Sequence, residues 1–429
     1  MIAMSAVVES LYENFDMELI YKRCCGLDVH KRIIMACVRL LLEDGNIHQE
    51  TKTFGTMTRD LLELADWLAA ADVTHVALES TGSYWKPVYN ILESRFKLVL
   101  VNARHVKHVP GRKTDVKDCQ WLAQLLQAGL LKGSFIPERP QRELRDLTRH
   151  RSQLVGEKNR AANRIQKILE DANIKLASVA TDILGASGRD MLRALIRGET
   201  DSTKMADLAR RQLRSKIPQL RPALEGKVTE HHRFMLAELL NHLEYLESRI
   251  EEFSRRIEEV SRPFAPAITK IATLPGFDQR SAQNVVAEIG ADMEVFPSAQ
   301  HLASWAGVCP GNNESAGKRK SGKTTKGNRW LRSALSQSSW SAARKKDSYF
   351  QAQYRRLAGR RGKKRAIVAV AHSLLTIIYH MLKNASDYQE LGCDYLDKLN
   401  AHRLLPHLLR RIKDMGYQVT LQEAAQEAA

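Results

Sequence analysis

The chain has 429 residues, of which 66 are Lys or Arg and 49 are Asp or Glu, for a formal charge of +17. That length allows two or three domains, and the charge favours a polyanionic partner, because clustered cations bind phosphates by releasing counterions. No CxxC pair occurs among Cys24, Cys25, Cys37, Cys119, Cys309 and Cys393, which argues against a zinc site or a disulfide framework; they read as buried thiols in a reducing cytoplasm.

No apolar run reaches the roughly 18 residues of a membrane span, so no membrane partner is expected. Residues 1–22 carry acids and no basic n-region, unlike a secretory signal. They read as a loose tail, and a start at Met17 would open the chain close to its first strand.

Residues 23–55 alternate, are rich in β-branched residues and turn at Gly45-Asn46, which predicts a three-stranded antiparallel meander. A helix (TRDLLELADWLAA), a strand (THVALES), a helix (YWKPVYNILESRF), a strand (KLVLVNA) and a helix (KDCQWLAQLLQAGLL) follow. The order βββαβαβα over 23–138 fits an α/β layer of ribonuclease-H-like type.

From 139 to 263 the chain becomes charged helix. Leu236, Leu239, Leu243, Leu246, Ile250, Phe253, Ile257 and Val260 alternate spacings of three and four, an a/d heptad pattern. Leu147, Leu154, Ala161 and Ile168 form a weaker seam, interrupted by Arg151 and Lys158. The two helices can pair in one chain or across a dimer, and the dimer is the favoured expectation. Over 264–385 a mainly helical block opens with two helices joined by LPGF, resembling a helix-hairpin-helix whose turn N–H groups meet a phosphate. An ordinary helical hairpin is the alternative. The apolar helix AIVAVAHSLLTIIYHMLKN reads as a core helix, with His372 and His380 as core or interface histidines. Residues 386–429 look peripheral.

Four acids stand out. Asp28 lies in the first strand (GLDVHK), Glu79 ends the strand VALES, and Asp115 and Asp118 open a helix within GRKTDVKD, three apart on one face. Carboxylates gathered at one site raise each other's pKa, and a divalent cation relieves this. Mg²⁺ takes oxygen ligands and phosphate oxygens, and two metals can hold the attacking and leaving oxygens of a phosphoryl displacement. Arg112, Lys113 and Lys117 would then contact the polyanion. Singly, each acid has a plainer role as a helix cap, first-turn acid or turn residue.

A second constellation is cationic. From Ser315 to Lys345 there are nine basic residues and no acid, among them Lys318, Arg319, Lys320, Lys323, Lys326 and Arg329. A further cluster includes Arg361, Lys363, Lys364 and Arg365. Glycine and serine interleave with the first cluster, which suits phosphate contact. A disordered basic loop is the simpler reading of composition alone.

GLDVHK, LESTG with SYW, and GRKTDVKD in this order resemble the DEDD transposases of the bacterial insertion-sequence 110/1111 family. MLRALIRGETD, LRSKIPQLRPALEG, HHRFMLAELL, LPGF, LASWAGVCPGNNESAGKRKSGKTTKGNRWLR and GKKRAIVAVAH resemble its 1111-type branch. The resemblance covers about 23–385. It implies a RuvC-like domain with Asp28, Glu79, Asp115 and Asp118 as a catalytic Mg²⁺ or Mn²⁺ site. It also implies a C-terminal transposase domain with Ser315 as nucleophile, after Ala306-Gly307 and Pro310. Here Ala316 stands where the family has glycine, which leaves Ser321 as a rival. The implied partners are donor and target DNA, a structured guide (bridge) RNA, and further copies of the chain, as dimers assembling to tetramers, in the bacterial cytoplasm at the nucleoid. The alternatives are a RuvC-like metal-dependent nuclease and a non-enzymatic basic coiled-coil protein.

Overall fold

A computed structural model describes residues 19–79, 82–102, 115–311, 313–399 and 401–420. Within these, the side chains of 115–117, 313–315, 319–320 and 402–404 are outside the description. The chain divides into two compact units that meet at Ile136 and Pro137.

The first unit is built on a five-stranded mixed sheet of order β3-β2-β1-β4-β5. Its strands are β1 (Arg23–Val29), β2 (Ile33–Leu41), β3 (Ile47–Gly55), β4 (His75–Glu79) and β5 (Lys97–Val101). The meander β1–β2–β3 is antiparallel, whereas β4 pairs parallel with β1 and β5 parallel with β4. This order is consistent with the expected ribonuclease-H-like layer. Period-two alternation decides the faces. Cys25, Leu27, Val29, Val76 and Leu78 point into one core, closed by helices α1 (Thr58–Ala70) and α2 (Trp85–Leu92) through Leu61, Leu64, Leu68, Val88 and Leu92. Cys24, Ala77 and Cys37 point to the opposite face, covered by α3 (Asp115–Gln127) through Cys119, Ala123 and Leu126.

The second unit is organised by two long helices, α4 (Arg139–Asp171) and, after a run of short helices that includes α5 (Ala186–Ile196), α6 (Glu230–Val260). They pair with each other within the chain, the one-chain alternative of the two. They run antiparallel: the rings of His150 and Phe253 lie 4.6 Å apart, Lys158 pairs with Glu247 at 3.0 Å, and His232 meets Asp171 at 2.9 Å. The heptad leucines Leu236, Leu243 and Leu246 share a core with Leu154, Ala161, Ile165 and Leu169. The two charged interruptions are accounted for: Lys158 leaves the seam to pair with Glu247, and Arg151 turns toward Asn284 at 2.9 Å.

The C-terminal part adds α7 (Ala265–Ala272), α8 (Gln279–Ile289), α9 (Ala299–Ala306), a hairpin of β6 (Asn313–Ser315) and β7 (Lys318–Ser321), α10 (Arg329–Ala342), α11 (Tyr349–Arg361) and α12 (Lys363–Lys383). The LPGF hairpin forms between α7 and α8, and its turn packs against α10. Leu274 and Phe277 are buried, and a Cβ at Gly276 would lie 2.2 Å from the Ser338 carbonyl oxygen of α10. Glycine is required there for close packing of two pieces of this chain.

By length and composition α12 passes as a membrane span, yet Ile367, Val370, Leu374, Leu375 and Ile378 are buried within its own unit. Half-buried His372 fits the core-or-interface reading, whereas His380 is exposed, edge-on to Tyr379. Four cysteines are buried, Cys309 is half-buried and Cys393 is exposed, a departure from the uniform burial expected. Two further helices, Tyr395–Leu399 and Ala401–Asp414, form where the sequence shows only a tail.

Candidate functional site

Asp28 and Glu79 occupy matching places. Leu27 pairs with Leu78 in the parallel β1–β4 register, so the next residue on each strand is an acid at its C-terminal end. Both share a parity with Gly26 and Ala77, which puts them on the face that α3 covers. There α3 runs antiparallel to β1. Leu126 packs on Cys24 and Ala77 near the strand starts, while Cys119 sits beside Cys37, the register partner of Gly26.

Gly26 makes this approach possible: a Cβ there would lie 2.3 Å from the Cys119 carbonyl oxygen and 2.5 Å from the Ala123 nitrogen. The N-terminal turn of α3, which holds Asp115 and half-buried Asp118, therefore lies toward the strand ends that carry Asp28 and Glu79. Asp28 is largely buried, with a side-chain exposure of 15 %, and its Oδ2 lies 3.0 Å from the Nε2 of exposed His30. Burial, then the neighbouring Cys37 thiol, and more weakly the Asp28 charge push the Cys119 thiol up to about 12, so it stays a neutral packing group.

Among the described residues no group of three or more His, Cys, Asp or Glu stands at metal-binding spacing. The donor set is nonetheless oxygen-rich, on one face and beside the positive end of α3, and its fourth carboxylate belongs to Asp115, whose side chain is outside the description. Such donors suit a hard divalent cation. Arg112 and Lys113 also lie outside the described residues, as does the side chain of Lys117.

In the second unit Ser315 ends β6 and pairs with Lys318 across a two-residue turn. Ala316 and Gly317 both have positive φ, 49° and 73°, the conformation of the primed hairpin turns. The basic segment is thus partly ordered as a hairpin. Its stem is closed by two glycines, since a Cβ on Gly327 would lie 2.4 Å from the Ala306 carbonyl oxygen and 2.5 Å from the Gly307 Cα. Arg332 of α10 ties down the returning strand by donating to the carbonyl oxygens of Thr325 and Lys326 at 3.2 and 2.9 Å. Lys318, Lys323, Lys326 and Arg329 are exposed, and so are Arg361, Lys363, Lys364 and Arg365 around Gly362, the junction of α11 and α12. The side chains of Ser315, Arg319 and Lys320 are outside the description.

One charge cluster escaped sequence reasoning. Glu288 of α8 is almost wholly buried and receives both guanidinium nitrogens of Arg149 at 2.7 and 2.8 Å. Arg145 approaches it at 3.4 Å and donates to the Ala287 and Glu288 carbonyl oxygens. Asn328, the N-cap of α10, donates to Glu288 Oε2 at 2.6 Å. Helix α4 is thereby joined through one carboxylate to the exit of the basic segment. Asn328 as a cap could be found from its place before a helix; the Glu288 pairing needs three distant segments and has no local signal.

Two family models match the chain: a DEDD transposase model over residues 25–174 and one described as the IS116/IS110/IS902 transposase family over 268–355. The chain belongs to the insertion-sequence 110 family of transposases. It is a DNA transposase or recombinase, an enzyme. The first match covers Asp28, Glu79, Asp115 and Asp118; the second covers Ser315 and its basic surroundings. Among similar curated proteins, the transposase of insertion element IS1111A from Coxiella burnetii is 21% identical over 85% of this chain and 90% of its own length. A protein of element IS900 from Mycobacterium paratuberculosis is 28% identical over 68% of this chain and 78% of its own. The pilin gene-inverting protein of Moraxella bovis is 26% identical over 44% of this chain and 67% of its own.

Proposed function

We propose that this transposase cuts and rejoins DNA with two chemical centres, a divalent-metal site of Asp28, Glu79, Asp115 and Asp118 and a nucleophilic Ser315, directed by a structured guide RNA. The observation that carries the reading is the placement of Asp28 and Glu79 at the ends of adjacent parallel strands, beneath the N-terminal turn of α3. In this reading the first unit is a RuvC-like domain of ribonuclease-H type. Mg²⁺ or Mn²⁺ held there would polarise a scissile phosphate and favour loss of a proton from the attacking hydroxyl.

The chain's own part is as follows. The four carboxylates bind and orient, with Asp28 held by His30. Ser315, at the tip of a hairpin among cations, attacks phosphorus; one serine O–P bond forms as one phosphodiester O–P bond breaks, and the leaving oxygen takes a proton. A second DNA hydroxyl reverses the exchange, so no external energy source is required. Lys318, Arg319, Lys320, Lys323, Lys326 and Arg329 hold the backbone, and Arg112, Lys113 and Lys117 would contact the same polyanion. Lys363, Lys364 and Arg365 sit at the start of α12, where the helix dipole is already positive. Cations there are unfavourable unless an anion joins them, which supports a phosphate contact alongside Arg361. Assembly as dimers and tetramers would let the acids of one copy serve the serine of another.

The test is junction amplification of the excised element with native flanks and guide RNA supplied, for wild type, Asp28→Asn and Ser315→Ala. Junctions only in wild type, with a covalent protein–DNA adduct that needs Ser315, would support both centres. Junctions that persist in Ser315→Ala would leave a metal-and-water nuclease or Ser321. Junctions without the RNA would remove the guide.

A further inference from the structure

A cleft of 280 Å³ opens where α4, α8 and α10 meet, on the flank of the Glu288 cluster. Its volume is many times the roughly 30 Å³ share of one water. Two guanidinium groups from different helices line it, Arg151 of α4 and Arg280 of α8, along with Asn284, Trp330, Ser333 and Gln337. Arg149, at its edge, is already committed to Glu288.

Arg151 is the unusual member. It is only 5 % exposed, yet its hydrogen-bond partners among the described residues are amides: Asn284 Oδ1 at 2.9 Å and Gln283 Oε1 at 3.5 Å. Arg149, by contrast, meets the Glu288 carboxylate at 2.7 Å. Asp278 and Glu258 act on Arg151 only at longer range. Burial first, then the Arg280 charge, bring its pKa down to about 10. A buried guanidinium with no carboxylate in direct contact is costly, and an anion entering the cleft would complete the pair. Asn284 spends its oxygen on Arg151, which leaves its Nδ2 as a donor. Ser333 and Gln337, one turn apart on α10, add further polar groups. Trp330 closes the wall, fixed by Arg149 at 5.9 Å and Arg329 at 4.6 Å from its ring.

We propose that this cleft is a phosphate-binding site for a nucleic-acid strand, with Arg151 and Arg280 as its cationic contacts. Planar guanidinium forks match phosphate oxygens, and two from separate helices fix the phosphate's position as well as its charge. Because α10 follows directly on the serine hairpin, the strand would be gripped at the hairpin's exit. The site lies apart from the exposed lysines of the basic segment and needs neither the metal site nor Ser315, only that the transposase binds nucleic acid.

The experiment uses the full chain with Arg151→Met, Arg280→Ala and, as an outlying control, Lys227→Ala. Thermal unfolding is followed in phosphate-free buffer and with inorganic phosphate. Binding of a 30-base RNA and a 30-base-pair DNA is followed as a function of salt. Inorganic phosphate should raise the Tm of wild type and the control, and not of the two arginine variants. Each arginine variant should lower the salt slope of log K by about 1. Arg151→Met should melt no lower than wild type in phosphate-free buffer, since it removes a buried charge with no direct carboxylate contact. A reduced slope with RNA alone or DNA alone identifies the strand. Unchanged slopes in both arginine variants, or a Tm rise from phosphate that Arg280→Ala retains in full, would overturn the site. Arg280 is exposed, so that variant keeps the test open if Arg151→Met does not fold.

Discussion

Asn328 donates its side-chain amide to the buried carboxylate of Glu288 at 2.6 Å, while its Oδ1 accepts from the Trp330 and Leu331 amides at the start of α10. One side chain thus caps a helix and ties it to the charge cluster that anchors α4. Glu288→Gln removes the carboxylate that Arg145 and Arg149 share, and removal of one partner of a buried pair costs about 3 kcal/mol. The urea midpoint should fall accordingly with an unchanged m-value. A loss below about 1 kcal/mol would mean that solvent already screens the cluster.

Gly26→Ala tests the seat of α3. Its new methyl would meet backbone atoms of Cys119 and Ala123, which cannot rotate away. Overpacking of this kind costs about 1–3 kcal/mol. Excision should be lost even where the variant stays folded, because the turn with Asp115 and Asp118 is pushed off the sheet. Full activity would show that the acids need not be held by this contact.

Ala316→Gly should tighten the serine hairpin. Ala316 holds φ of 49°, a conformation that costs an L-residue about 1–2 kcal/mol and glycine almost nothing. Hydrogen exchange of the Lys318–Ser321 amides should slow in Ala316→Gly and quicken in Ala316→Val. The reverse order would place the turn in another conformation.

Asp278 gives a pH signature. Burial opposes its ionisation, but the Ser281 hydroxyl and backbone N–H at the head of α8 outweigh this and hold its carboxyl below the ordinary 3.8. A depressed carboxylate contributes stability that is complete above its unfolded pKa and is lost as pH falls through the folded value. The Tm difference between wild type and Asp278→Asn should therefore be constant near neutrality and shrink below about pH 4. A difference independent of pH would remove the charge from the capping role.

The first unit was legible because its faces are written in period two. Leu27 and Leu78 face one core, Asp28 and Glu79 the other side, and the order βββαβαβα was expected. The heptad of α6 was equally plain, but it names an apolar seam without naming the partner. The shared core of Leu236, Leu243 and Leu246 with Leu154, Ala161 and Ile165 shows that α4 fills it. The turn at Gly276 was open to two readings for a related reason. A glycine permits close approach to any backbone, and here the backbone is Ser338's. The Glu288 cluster was invisible because Arg145, Glu288 and Asn328 are neighbours only after folding.

Helix α4 also works as a ruler. Its 33 residues at about 1.5 Å each span roughly 50 Å. Its early turns hold the Glu288 cluster and its late turns the leucine core around Ile165 and Leu169. That span equals about 15 base pairs of duplex at 3.4 Å. Insertion of seven residues would keep every face in place and lengthen the gauge by about 10 Å, while an insertion of two would rotate one end against the other. The separation of the Glu288 cluster from the leucine core is thereby set by the count of helical turns, a quantity evolution can change one heptad at a time.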